Sequence, residues 1–210
     1  MEYTLPSDVD QRPVAIDGAG TLGRRIAAVY AAAGSDVRIF DVSAGQRQAA
    51  RGYVEAHISG TQQALGLHPE RAGRVEVTDR LQDAVAGAWM VIEAVPENAG
   101  LKSEVFGELD RLAAADAVLA SNSSSLPSSQ LIGKVEHPER VLNTHYQQPP
   151  ELSCVELMSC SQGSGASRGR MEQSRTTTAN WHGRPGTGLD RHEVERGQGE
   201  GSGAEANQVW

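Results

Sequence analysis

Three glycines and one acid carry the first chemistry legible in this chain. The stretch Gly18-Ala19-Gly20-Thr21-Leu22-Gly23 has the spacing G-x-G-x-x-G. In such a turn Gly18 permits the tight bend, Gly20 lets a pyrophosphate approach the backbone, and Gly23 lets helix and strand pack closely. The N–H groups of the opening helix, around Thr21 and Leu22, add a partial positive charge suited to phosphate oxygens. Asp41 stands roughly 20 residues further on, where a carboxylate accepts ribose hydroxyls. An acid at that position repels a 2′-phosphate, so the pattern predicts NAD rather than NADP. The glycines alone would be a weak signal, because glycine marks many turns. A strand before them and a helix after them make the pattern specific.

Those elements are readable. "PVAID" (13–17) is a short apolar run that stops at the glycines. Leu22, Ile26, Val29 and Ala33 then recur at helical spacing, and Gly34 falls where a left-handed cap would end the helix. "DVRIFD" (36–41) is a second strand, completing one βαβ unit. The alternation continues through a long polar helix, the strand "RVEVTD", the helix "RLQDAVAGA" and the buried-strand run "WMVIEAV". The helix "LKSEVFGELDRLAA", the strand "AVLAS" entering a serine loop, a short helix in "PSSQLIGKV", and the strands "RVLNTHY" and "LSCVELM" complete it. Alternating strands and helices predict an α/β fold of Rossmann type, doubly wound around a mainly parallel sheet.

Asp17 disagrees with its surroundings. It occupies a strand position that should be apolar, just ahead of the turn. Two environments are open. Buried beside a bound dianion, its carboxylate would weaken NAD binding. Turned to solvent at the strand end, it would do little.

Composition narrows the classes. The 210 residues carry a formal net charge of −8, with 39% hydrophobic and only 4% aromatic residues. No basic field exists to hold a nucleic-acid backbone or an anionic membrane. Cys154 and Cys160 form no disulfide framework, and no metal-ligand motif is present. No apolar run is long enough to span a bilayer, and the start "MEYTLPSDVD" has neither a signal-peptide core nor a transit-peptide pattern. A soluble, cytoplasmic protein is the expectation.

At "IEAVPE", "SNSSS" and "NTHYQQPPELSCVEL" the chain resembles the 3-hydroxyacyl-CoA dehydrogenase family, over roughly residues 13–159. The lambda-crystallin and L-gulonate dehydrogenase branch shares the same framework. The resemblance implies an NAD-dependent oxidoreductase acting on a small-molecule substrate, an acyl-CoA or a small hydroxy acid. It also implies roles residue by residue. His145 matches the catalytic histidine, and Glu156 its paired glutamate if the intervening loop is one residue shorter. Ser124 matches the serine that bonds the substrate oxygen, and Asn122 opens that motif. Glu97 and Lys102 match residues lining the cofactor and the mouth of the site. The residue types fit the chemistry: histidine titrates near neutrality and takes the hydroxyl proton, a carboxylate behind it fixes the ring, and a serine holds the oxygen in line. Gln147 and Gln148 depart from the family, which usually carries apolar or aromatic residues and an Asn there.

After Cys160 the pattern ends. Ten of the fifty residues from Ser161 to Trp210 are glycine, and only Leu189, Val194 and Val209 are branched aliphatics. Such a stretch buries too little apolar surface to offset roughly 1–2 kcal/mol per residue of backbone ordering. The expected organisation is an N-terminal extension (1–12), an NAD-binding domain (13–160) and a disordered tail (161–210). The tail stands where the family has a helical domain, so the family's dimer interface is expected to be absent and the activity impaired. A non-catalytic NAD-binding fragment, or a non-functional product, are the alternatives.

Overall fold

The apolar runs and periodic stretches become strands and helices wound around one sheet. The computed structural model describes residues 6–146 and the backbone of three further strands, Cys154–Ser159, Arg175–Asn180 and Arg191–Glu193. In chain order β1 (Val14–Asp17) leads to α1 (Thr21–Ala32), β2 (Val37–Phe40), α2 (Ala44–Leu65) and β3 (Val75–Thr78). Then come α3 (Leu81–Val85), β4 (Met90–Glu93), α4 (Ala99–Leu112), β5 (Val118–Ser121) and β6 (Val141–Tyr146). The sheet order is β3-β2-β1-β4-β5-β6, followed by β7 (Cys154–Ser159), β8 (Arg175–Asn180) and β9 (Arg191–Glu193). Strands β1 to β6 are parallel and the last three pairings antiparallel. This is the doubly wound, mainly parallel sheet that the alternation predicts. The order reverses between β1 and β4, and at such a switch point ligands bind outside the carboxyl ends of the strands.

Each parallel strand is covered on both faces, so successive residues enter different cores. Val14 and Ile16 of β1 pack with Ile26, Ile39 and Ile92 on the α1–α2 side. Ala15 between them packs with Val91, Phe106, Leu109 and Leu119 on the α3–α4 side. Full burial of a side chain of this size contributes about 1.5–3 kcal/mol. Local signals set the helix ends: Ser43 Oγ accepts from Gln46 N at the start of α2, and Asn98 Oδ1 accepts from Leu101 N at the start of α4. Gly34, at φ +98°, closes α1 as its position in the sequence suggests.

The segment before β1 is tied to the domain. Arg12 donates to both Asp116 carboxylate oxygens, at 2.8 and 2.9 Å, and to the carbonyls of Gly87 and Ala88. A second arginine anchors β6. Buried Arg140, just before that strand, donates from Nε and Nη2 to Asp110 Oδ1 of α4, and also to the carbonyls of Asp110 and Ala114. No helix among the described residues is long and apolar enough to cross a membrane.

One expectation changes. "PSSQLIGKV" is not a helix but a pair of 3-10 turns, Ser128–Gln130 and Ile132–Lys134. Gly133 and two serines disfavour propagation, and Leu131 is wholly buried between the turns. Within the stretch 161–210, two segments, β8 and β9, enter the sheet as strands. The run Thr176–Thr178 gives β8 its β-branched character. Gln147, Gln148, Cys160 and the remainder of the tail lie outside the described residues.

Candidate active site

Strand register assembles the site floor. Asp17 of β1 lies opposite Glu93 of β4, Glu93 opposite Ser121 of β5, and Ser121 opposite Asn143 of β6. The four form one polar row across β1, β4, β5 and β6, at the carboxyl ends of the first three, and all are buried. By alternation they share the face of Ala15, Val91 and Leu119, the α4 side. Glu93 is its hub. Its Oε1 accepts from Lys102 Nζ at 2.6 Å and from Val95 N at 2.7 Å, and its Oε2 accepts from Ser121 Oγ at 2.8 Å. Asp17 is only 4% exposed, so the solvent-facing alternative is excluded. Burial first, then the carboxylates of Glu93, Asp41 and Glu108, push its carboxyl up to about 7, against the pull of Lys102.

The serine loop is built on this row. Ser121 Oγ accepts from Ser123 N, and Ser123 Oγ accepts from Leu126 N. Asn143 Nδ2 donates to the carbonyls of Ser123 and Leu126. Above the loop, Glu97 Oε1 accepts from Ser123 Oγ and from Ser125 Oγ. Partial burial works against the Glu97 charge, but these two serines and Lys102 outweigh it and hold the carboxyl below its ordinary value. Ser124, between the two bonded serines, is exposed at the loop tip. Lys102 is 1% exposed, its ammonium engaged by Glu93, Glu97 and the Val95 carbonyl. Through Glu97, Lys102 is linked to the serine loop.

The glycine turn fits a dinucleotide. Gly18 has φ +108°, and a Cβ there would stand 2.6 Å from the Ala94 carbonyl oxygen. A Cβ on Gly23 would stand 1.8 Å from the Gly18 oxygen, whereas one on Gly20 would meet nothing within 4 Å. The space over Gly20 is thus open to a ligand, and no side chain caps α1, where Thr21 and Leu22 begin the helix. Asp41 Oδ2 accepts from Ala19 N and Oδ1 from Ser43 N, both at 2.8 Å, which fixes the acid beside the turn. Val42 next to it is 89% exposed, an apolar surface at the same rim. Replacing Gly23 by alanine is expected to cost about 1–3 kcal/mol of stability, since backbone must shift to admit the methyl. Thermal unfolding would show it, and a Gly23→Ala protein melting like the original would contradict the packing described.

His145 sits on β6 between pinned neighbours. Tyr146 N donates to Asn122 Oδ1 at 3.2 Å, and the hydroxyls of Tyr146 and Tyr30 share a buried 2.8 Å hydrogen bond. Asn122 thereby joins the serine loop to the histidine strand. Across the β6–β7 ladder, His145 is the direct partner of Glu156. His145 also shares the face of Asn143, two residues earlier. One cavity of about 350 Å³ opens elsewhere, among Arg12, Arg38, Arg71 and Arg74, at the amino ends of the strands.

Residues 13–174 match the family model of the 3-hydroxyacyl-CoA dehydrogenase NAD-binding domain. The chain belongs to this family. It is 37% identical over 179 residues to 3-hydroxybutyryl-CoA dehydrogenase of Mycobacterium tuberculosis, covering 81% of this chain and 61% of that protein. It is 36% identical over 143 residues to 5-formyl-3-hydroxy-2-methylpyridine 4-carboxylate 5-dehydrogenase of Mesorhizobium japonicum, covering 67% of this chain and 46% of the relative. The crystal structure of 5-formyl-3-hydroxy-2-methylpyridine 4-carboxylic acid 5-dehydrogenase superposes with TM-score 0.66 at 34% identity, over 73% of this chain and 50% of the other. The chain thus spans about half the length of the curated relatives it matches. The 3-hydroxyacyl-CoA dehydrogenase fold accounts for the placing of the glycine turn at the switch point. Sequence reasoning missed Glu93, on which the row, Lys102 and the serine loop converge. Its signal was present: one acid closing the otherwise apolar run "WMVIE".

Proposed function

We propose that this chain is an NAD-dependent oxidoreductase of the 3-hydroxyacyl-CoA dehydrogenase type, converting a secondary alcohol to a ketone. The observation that carries the reading is the register pairing of His145 with Glu156, near the carboxyl ends of the parallel strands, where the serine loop and the glycine turn also lie. His145 takes the proton of the substrate hydroxyl, and Glu156 orients the imidazole and stabilises its charge. Ser124, exposed at the loop tip, holds the substrate oxygen. Gly18, Gly20 and Gly23 shape the cradle for the pyrophosphate, Thr21 and Leu22 present the helix amides, and Asp41 receives the ribose. Hydride acceptance is the chemistry that NAD supplies when bound. Relatives act on an acyl-CoA in one case and a pyridine carboxylate in another, going by their names. An acyl-CoA or a small hydroxy acid is the substrate class this reading gives.

A second reading, an NAD-binding module without turnover, is favoured by the composition after Cys160, where glycine and serine replace the apolar residues a closing domain needs. NADH oxidation by the purified full chain with acetoacetyl-CoA separates the two. Turnover supports the dehydrogenase. NADH binding without turnover supports the module, and failure to bind NADH removes both.

A further inference from the structure

We propose that Asp17 takes up a proton when the dinucleotide binds, so that the cofactor affinity of this chain is tied to pH. The proposal rests on the NAD-binding reading of the glycine turn. Asp17 is the last residue of β1 and immediately precedes the turn. Its carbonyl accepts from Ala94 N at 2.7 Å, which fixes its backbone against the end of β4. Its side chain is enclosed at 4% exposure, opposite Glu93 in the ladder. Glu93 has both oxygens engaged by Lys102, Val95 N and Ser121, so the cation and donors of this floor go to one acid of the pair. Among the described residues no hydrogen-bond donor is placed on the Asp17 carboxyl.

Three carboxylates around Asp17 act in one direction and one ammonium against them. Glu93 from β4, Asp41 after β2 and Glu108 from α4 favour its protonated form, and Lys102 from α4 opposes it. On α3, also packed against β1, Asp83 is exposed and lies 3.9 Å from Arg80. On α1, the Arg24 guanidinium lies 5.0 Å over the Tyr53 ring, and Arg25 is half-buried. A carboxyl already balanced near neutrality, at about 7, then meets a ligand whose pyrophosphate adds negative charge beside the same turn. Binding shifts Asp17 further toward its protonated form, and linkage requires the converse: deprotonating Asp17 weakens binding.

The test is NADH affinity of the full chain, by nicotinamide fluorescence, between about pH 6 and about pH 9. The expected result is a loss of affinity approaching tenfold per pH unit above about pH 7, and a nearly flat profile in Asp17→Asn with tighter binding at the alkaline end. Calorimetry of the original chain in buffers of different ionisation enthalpy reads the same proton without any substitution. Net uptake of a fraction of one proton per NADH near neutrality is expected there. No uptake, or a pH slope that survives in Asp17→Asn, overturns the role of Asp17 while leaving NAD binding intact. Absence of NADH binding at every pH in both proteins overturns the cofactor reading itself, and this proposal with it.

Discussion

Replacing Lys102 by methionine is expected to lower the unfolding free energy by about 3–5 kcal/mol, because it leaves a buried carboxylate without its cation. Lys102 and Glu93 are 2% and 0% exposed at the side chain and stand 2.6 Å apart, so water cannot take over the lost contact. The loss should spread. Glu93 also holds Ser121, and Ser121 holds the serine loop, so the loop loosens as its hub does. Denaturant unfolding measures the effect as a lower midpoint at unchanged slope. An internal control exists in Lys134, whose pair with Glu104 is half exposed on both sides. Lys134→Met should change stability by less than about 1 kcal/mol. The double substitution of Lys102→Met with Glu93→Gln should recover a large part of the loss, since it removes the stranded charge as well. Equal losses for Lys102 and Lys134 would contradict the buried pair.

His145→Ala is expected to lower turnover of a 3-oxoacyl-CoA by about 10²–10⁴, the usual worth of a positioned acid–base. NADH affinity should stay within about twofold, because His145 stands on β6, whereas the pyrophosphate cradle is built at the end of β1. Glu156→Gln should lower the rate less and move the pH profile, as befits a group that acts through the imidazole. Steady-state rates beside fluorescence titration read both quantities. Unchanged turnover in His145→Ala would move the proton transfer to another residue.

The parts of this site that depend on near neighbours in the chain were legible in the sequence. The glycine turn, the strand before it and the helix after it are one continuous text, and periodicity alone places β1, α1 and β2. Asp17 stood out because an acid interrupted an apolar run, and its burial decides between the two environments the sequence left open. What could not be read depends on long separations. Glu93 meets Ser121 only because β4 and β5 pair in one register, and Arg140 meets Asp110 only because α4 packs beside the chain leading into β6. The 3-10 turns of 128–134 escaped for a local reason: "PSSQLIGKV" reads as a short helix, but Gly133 and the two serines lack the propensity to propagate one.

The polar row also bears on how the chain finds its pairing while it folds. Sliding any one of β1, β4, β5 or β6 by a single residue would flip its side chains to the other face. Asp17, Glu93, Ser121 or Asn143 would then enter the α1–α2 core, among Ile16, Ile26 and Ile92, with no donor or acceptor to meet it. A strand mispaired by one residue would carry a buried unsatisfied polar group. Parallel strands have no tight hairpin to set their alignment. Here the same four residues that make the floor of the candidate site penalise a one-residue slip of each strand that carries them.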